Sequence, residues 1–175
     1  MRSGQKLWFI GLISRIPSTM AIEIEKKFLL ANDDWRKSVS RSSRYVQGYM
    51  GSNRNCSIRV RIEDDEAHLN IKSATLGITR KEYDYVIPVA DAHEILATLC
   101  DKPLIEKTRY YVEHQDHTWE IDVFSGENEG LVVAEVELDD ADEEISLPDW
   151  AGADVSDDPR YYNVCLISNP YKTWQ

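Results

Sequence analysis

The sequence predicts an α+β fold that is mainly antiparallel β, a sheet or closed barrel with a few helices packed outside. Three observations carry this. Many short segments alternate apolar and charged residues with period two, as half-buried strands do. Polar turns separate them at close spacing. Helical periodicity is confined to two short stretches. The 175 residues suit one domain of ordinary size. With 42% hydrophobic and 29% charged residues, the chain is globular rather than disordered.

The elements follow in order. Ala21 to Leu30 is a strand, with Glu23, Glu25 and Lys27 on one face and Ile22, Ile24 and Phe28 on the other. Asn32-Asp33-Asp34 offers helix caps, which predicts a short helix over Trp35 to Ser42. Arg44 to Met50 is the second strand and Gly51-Ser52-Asn53 a turn. Cys56 to Glu63 is the third, with Ile58, Val60 and Ile62 opposing Arg59 and Arg61. Ala67 to Ser73 is the fourth, with Leu69 and Ile71 opposing His68, Asn70 and Lys72. Ile78 to Ile87 is the fifth, with Arg80, Glu82 and Asp84 on one face.

Pro88 ends that strand. Asp91 to Glu94 has the spacing of a capping box, and Ile95, Leu96 and Leu99 make one apolar face of a helix over Ala92 to Cys100. Leu104 to Glu113 is the sixth strand, with Lys107, Arg109 and Tyr111 together. Thr118 to Phe124 carries Glu120 and Asp122 opposite Trp119, Ile121 and Val123. Leu131 to Leu138 carries Glu135 and Glu137 opposite Ala134, Val136 and Leu138. The acidic run Asp139 to Glu144 fits a solvated helix start.

Residues 1–19 stand apart. Lys6 precedes an apolar run, Leu7 to Ile13, shaped like part of a signal peptide but short and followed by Arg15. It is too short to span a bilayer. Met20-Ala21-Ile22-Glu23 has the look of a natural start, so residues 1–19 are expected to be an upstream extension or start-site artefact without fixed structure. Residues 20–175 then form the single domain.

The formal net charge is -11 and the sequence pI about 4.8. Such a field repels nucleic acid and anionic membranes, so neither is an expected partner. Cys56, Cys100 and Cys165 are odd in number and lack a C-x-x-C spacing, which disfavours a zinc site or disulfide framework and fits a reducing cytoplasm.

The charged faces hold the chemistry. Glu23/Glu25, Arg59/Arg61, Lys107/Arg109, Glu120/Asp122 and Glu135/Glu137 are like-charge pairs, each two residues apart on one strand face. One such pair is ordinary for a solvated strand. Five call for counter-ions: metal cations for the acids, a polyanion for the bases. A closed barrel would place these faces inside. Carboxylate oxygens without a suitable His or Cys cluster favour Mg²⁺ or Mn²⁺. Arg contributes bidentate phosphate contacts and Lys a point charge. The ligand this describes is a compact polyphosphate, and no Walker-type glycine loop is present.

These residues resemble the CYTH superfamily, the triphosphate tunnel metalloenzymes. Glu23-Ile24-Glu25-Lys26-Lys27 has its Glu-x-Glu-x-Lys pattern. Further matches are Gln47-Gly48-Tyr49, Ile58 to Arg61, Asn70 to Ser73, Arg80 to Tyr83, Glu106 to Tyr110, Glu120 to Phe124, Glu135 to Glu137 and Asp158 to Tyr161. The resemblance runs from Met20 to about Leu166 and is nearest to small bacterial inorganic tripolyphosphatases. It implies an eight-stranded antiparallel tunnel that binds triphosphate with a divalent metal. It implies metal ligation by Glu23, Glu25, Asp122, Glu135 and Glu137. It implies phosphate contacts from Arg59, Arg61, Lys72, Arg80, Lys107, Arg109 and Arg160. Lys27 and Tyr49 would pair near the attacking water, while Lys26 points out.

The expected reaction is metal-dependent hydrolysis of inorganic triphosphate to pyrophosphate and phosphate, by a monomer or homodimer. The rivals are a class IV-type adenylate cyclase, a thiamine triphosphatase, and a non-catalytic polyphosphate-binding module. The tail departs from the family where Pro159 precedes Arg160 and where Val164-Cys165-Leu166 follows Asn163.

Overall fold

The computed structural model describes residues 20–52, 55–73 and 78–174, with side chains from Glu23 onward except at positions 52, 79 and 80. The expectation for residues 1–19 falls outside that range. Nine strands form: β1 Met20–Leu30, β2 Val39–Ser52, β3 Cys56–Glu63, β4 Glu66–Ser73, β5 Thr79–Val86, β6 Ile105–His114, β7 His117–Phe124, β8 Val132–Glu137 and β9 Ala151–Asp154. All are paired antiparallel, in the order β5-β4-β3-β2-β6-β7-β8-β1-β9. The first half of β1, residues 20–24, also pairs with β5, while residues 25–29 pair with β8. One strand therefore touches both ends of the run.

Three expectations are corrected. The sheet has nine strands rather than eight, β9 being added against Phe28 and Leu30 of β1. The helix foreseen over Trp35 to Ser42 is a single 3-10 turn, Asp34–Ser38, because Val39 already pairs with Val112 in β2. Asn32 starts that turn by accepting the Asp34 N–H at 2.9 Å, while Asp33 makes no side-chain cap. The acidic run forms turns held by Glu143, which accepts from the Asp139 N–H and lies 2.8 Å from His117 Nε2.

Period two decides what each face meets. The outward sides of β1, β6, β7 and β8 bury Phe28, Val112, Trp119, Ile121, Ala134 and Val136 under Trp35 and Trp150. Trp119 stacks edge-on against Trp150, with ring centres 5.2 Å apart. Helix α1, Val89–Thr98, covers β3 and β4, setting Ala92 and Leu96 on Val60, Ile62 and Ala67. It starts one turn earlier than the capping-box spacing suggested and has no side-chain cap. Leu99 lies just past the helix and is exposed, a departure from the expected apolar face.

The inward faces are charged along most of their length and apolar at one end. There Ile105, Phe124 and Val133 continue the rows of Lys107, Asp122 and Glu135, and Leu166 of the short helix α2, Cys165–Ser168, packs among them with no exposed surface.

Candidate active site

Strand β1 projects Glu23, Glu25 and Lys27 inward, and their neighbours fix their charge. Lys27 Nζ is hydrogen-bonded to Glu135 and lies 3.7 Å from Glu25 Oε1. Its backbone is clasped by the chain after β9: the N–H donates to Ser156 Oγ at 2.9 Å and the carbonyl accepts from the Val155 N–H at 2.8 Å. Burial would lower the Lys27 ammonium, but Glu135 and Glu25 outweigh it and hold it above its ordinary value. A side chain so held is a donor, not a general base.

A second group of ion pairs joins β3, β4, β5 and β1. Lys72 Nζ donates to both Glu23 carboxylate oxygens at 2.6 Å and lies 3.6 Å from Glu82. Arg59 donates through Nε and Nη2 to Asn70 Oδ1 at 3.2 and 3.1 Å, and Asn70 Nδ2 donates to Glu82 Oε1 at 3.0 Å. Burial, with Glu25 and Glu82 beside it, raises the Glu23 carboxyl despite Lys72.

The third group sits on β6, β7 and β8. Arg109 donates to Asp122 Oδ1 and Oδ2 at 2.7 Å, and also to Glu120 and Glu135. Lys107 is hydrogen-bonded to Asp122. Burial and the adjacent Arg109 outweigh Asp122 and lower the Lys107 amine to about 8. Glu135 is driven the other way: burial would raise it, but Lys27, Arg109 and Lys107 hold it well below the usual carboxylate range. The Tyr45 ring lies among three of these cations, with Arg61, Lys107 and Arg109 at 5.6, 5.7 and 5.3 Å from its centre.

These groups surround one cavity. Of the residues expected from sequence, Glu23, Glu25, Lys27, Tyr49, Arg59, Arg61, Lys72, Lys107, Arg109, Glu135 and Glu137 line it. Its unfilled space is small, about 110 Å³, because acids and bases reach across and pair. Asp122 is not on the wall: it is fully buried behind, its oxygens taken by Lys107 and Arg109. Glu120, one step along the same face, lines the cavity instead. Arg160 is turned away, its guanidinium on Asp158 and close to the Tyr161 and Trp174 rings. The tail reaches the cavity through Tyr162, Asn163 and Val164. Arg80 pairs with Glu23 in register, but its side chain is outside the described residues. Asp84, inward by parity, is 3.0 Å from His68 Nδ1 and off the cavity wall.

Sequence reasoning missed Tyr45 and Gln47, although both share the face of Tyr49 on β2. It gave no signal for the tail residues, which are placed by the packing of Leu166.

Among the described residues, no three His, Cys, Asp or Glu side chains are gathered into a ready-made metal site. The donor set still suits a hard divalent cation. Glu25 and Glu137 are direct cross-strand partners, and opposed like charges destabilise a strand pair unless a cation lies between them. The Glu137 side chain makes no hydrogen bond or ion pair among the described residues, and the residue is exposed.

Comparison with known proteins agrees with this geometry. The CYTH domain profile matches residues 21–162. The chain belongs to the CYTH domain family. As a CYTH protein it is 48% identical over 156 residues to an inorganic triphosphatase of Acetivibrio thermocellus, covering 89% of this chain and 99% of the relative. An inorganic triphosphatase of Nitrosomonas europaea is 33% identical over 148 residues, covering 82% and 95%. A crystal structure described as an inorganic triphosphatase superposes with a TM-score of 0.62 at 29% identity, over 85% of this CYTH chain and 95% of that one. A Pyrococcus horikoshii protein shares the fold, with a TM-score of 0.55 at 16% identity over 69% and 80%. No helix among the described residues is long and apolar enough to cross a membrane.

Proposed function

We propose that this CYTH protein hydrolyses inorganic triphosphate to pyrophosphate and phosphate, with a divalent cation, Mg²⁺ or Mn²⁺, inside this cavity. One observation carries the reading. A single wall joins a belt of buried and half-buried cations, Arg59, Arg61, Lys72, Lys107 and Arg109, to the opposed acids Glu25 and Glu137. The names of the relatives support the same substrate. The contact of β1 with both β5 and β8 supports a closed tunnel around the site.

The chain's own residues divide the labour. Arg59, Arg61, Lys72, Lys107 and Arg109, with Arg80, bind the phosphoryl oxygens and stabilise the charge that develops as the anhydride bond breaks. Lys72 and Arg109 already sit on carboxylates, so phosphate replaces one anionic partner with another and little reorganisation is needed. Asp122 keeps Lys107 and Arg109 in place from behind. Lys27 donates to the attacking water and, with Tyr49 on the same cavity, orients it. Glu25 and Glu137, with Glu23 and Glu135, would hold the cation, which when bound neutralises phosphate charge and polarises oxygen.

The lining is charged or polar apart from the tyrosine rings and Val164, so it offers little for an adenine ring. The test is a phosphate-release panel of tripolyphosphate, ATP and thiamine triphosphate with Mg²⁺ or Mn²⁺, with cyclic AMP measured in parallel. Turnover of tripolyphosphate above the others is expected. Cyclic AMP with pyrophosphate from ATP, or tight binding without turnover, would replace this reading.

A further inference from the structure

Buried polar groups are nearly always hydrogen-bonded, and a donor left without a partner costs stability. Gln47 is 1% exposed, and its Nε2 has no hydrogen-bond partner among the described residues. Arg61 Nε is in the same condition. The two residues are register partners on β2 and β3, and both line the cavity. Side chains opposed in this way have Cβ atoms about 4.5–5.5 Å apart. Two adjacent unpaired donors on the wall of one cavity call for a ligand that presents only acceptors.

The backbone holds Gln47 firmly. Gly48 follows it on the outer face, where an added Cβ would lie 2.7 Å from Cys100 Cβ and 2.8 Å from a Leu104 methyl carbon. Strand β2 is thus pressed against its cover at the residue beside Gln47, and the amide cannot drift away from the cavity. Tyr45 and Tyr49 flank it on the same face. These three side chains form an uncharged strip within a wall otherwise rich in ions.

We infer that Gln47 is a substrate-contact residue, donating from Nε2 to a non-bridging oxygen of the phosphoryl group that Arg61 Nε also holds. The inference rests on the triphosphate reading. It adds a neutral donor to a site otherwise described by its charges, and it gives the stability cost of the two unpaired donors a purpose: binding satisfies them.

This yields a signature that a structural glutamine would not show. Gln47→Met keeps the length and removes the unpaired amide. It is expected to melt at or above the wild-type temperature. Its KM and Kd for tripolyphosphate should rise about tenfold to a hundredfold, with kcat changed less. Gln47→Glu, nearly isosteric, should bind more weakly still, since it sets a carboxylate against the phosphate. The experiment is steady-state kinetics, calorimetric titration with tripolyphosphate and thermal melting on the full-length protein. Gln47→Met with KM and Kd within twofold of wild type overturns the inference. So does Gln47→Met that melts below wild type, because the amide would then be part of the fold. Wild-type protein that neither binds nor hydrolyses tripolyphosphate overturns the functional reading itself.

Discussion

Strand β8 presents two glutamates to its neighbours, and their fates differ. Glu135 opposes Glu120 of β7, and Glu137 opposes Glu25 of β1. Both are like-charge cross-strand pairs. In the first, Arg109 donates to both acids and Lys27 adds a second cation to Glu135. In the second, Glu25 has Lys27 at 3.7 Å, and Glu137 has no ion pair among the described residues. Two acids of one Glu-x-Glu motif are therefore unlike in kind. Glu135 is built into the interior on Lys27 and Arg109. Glu137 faces a space suited to an exchangeable cation.

The contrast can be broken by experiment. The largest effect is expected from Glu135→Ala, which leaves Lys27 and Arg109 buried and short of a counter-ion. It should cost about 3–5 kcal/mol in denaturant unfolding as well as activity. Glu137→Ala should change stability by no more than about 0.5 kcal/mol. It should nonetheless lower phosphate release by about a hundredfold or more and abolish the rise in melting temperature expected when Mg²⁺ or Mn²⁺ is added to wild type. Equal losses of stability in the two variants would erase the distinction.

The pH dependence sharpens it. The folded pKa of Glu135 lies below its ordinary value of 4.5, so its stabilising contribution is complete above that pH and is lost as pH falls through the folded value. Acid unfolding of wild type should therefore steepen below about pH 4.5, and Glu137→Gln should leave that limb unchanged. A smaller effect is expected at Lys107, whose charge is lost as pH rises through about 8. KM for triphosphate should climb above that pH, and Lys107→Arg should move the climb upward. The smallest is Arg160→Ala: with its guanidinium on Asp158 and away from the cavity, it should leave kcat/KM within about twofold.

Much of this was legible because alternation reports which face a side chain takes. The inward rows of β1, β3, β6 and β8 all emerged that way. Alternation does not report depth behind the wall, which separates Glu120 from Asp122 although both point inward. Nor does it find elements fixed by distant contacts. Strand β9 is Ala-Gly-Ala-Asp, without β-branched residues, and it lies so close to β1 that a Cβ on Gly152 would come within 2.9 Å of the Leu29 carbonyl. Trp35 to Ser42 had good caps for a helix, but Val39 was drawn into the ladder with Val112. The tail enters the cavity because Leu166 fills the apolar end of the interior, a preference that only the assembled strands create.

The clasp on Lys27 has a bearing on how the protein is made. Its backbone N–H is held by a serine 129 residues further along the chain, and β1 pairs only with strands synthesised after it, β5, β8 and β9. Among the described strands, β1 leaves the ribosome first and is thus among the last to find its place. Contacts of such long sequence separation form slowly, because the loop must close before any bond rewards it. Until β5 and β8 emerge, the nascent chain carries a strand of two glutamates and two lysines with no sheet to join, and its charges help keep it soluble while it waits.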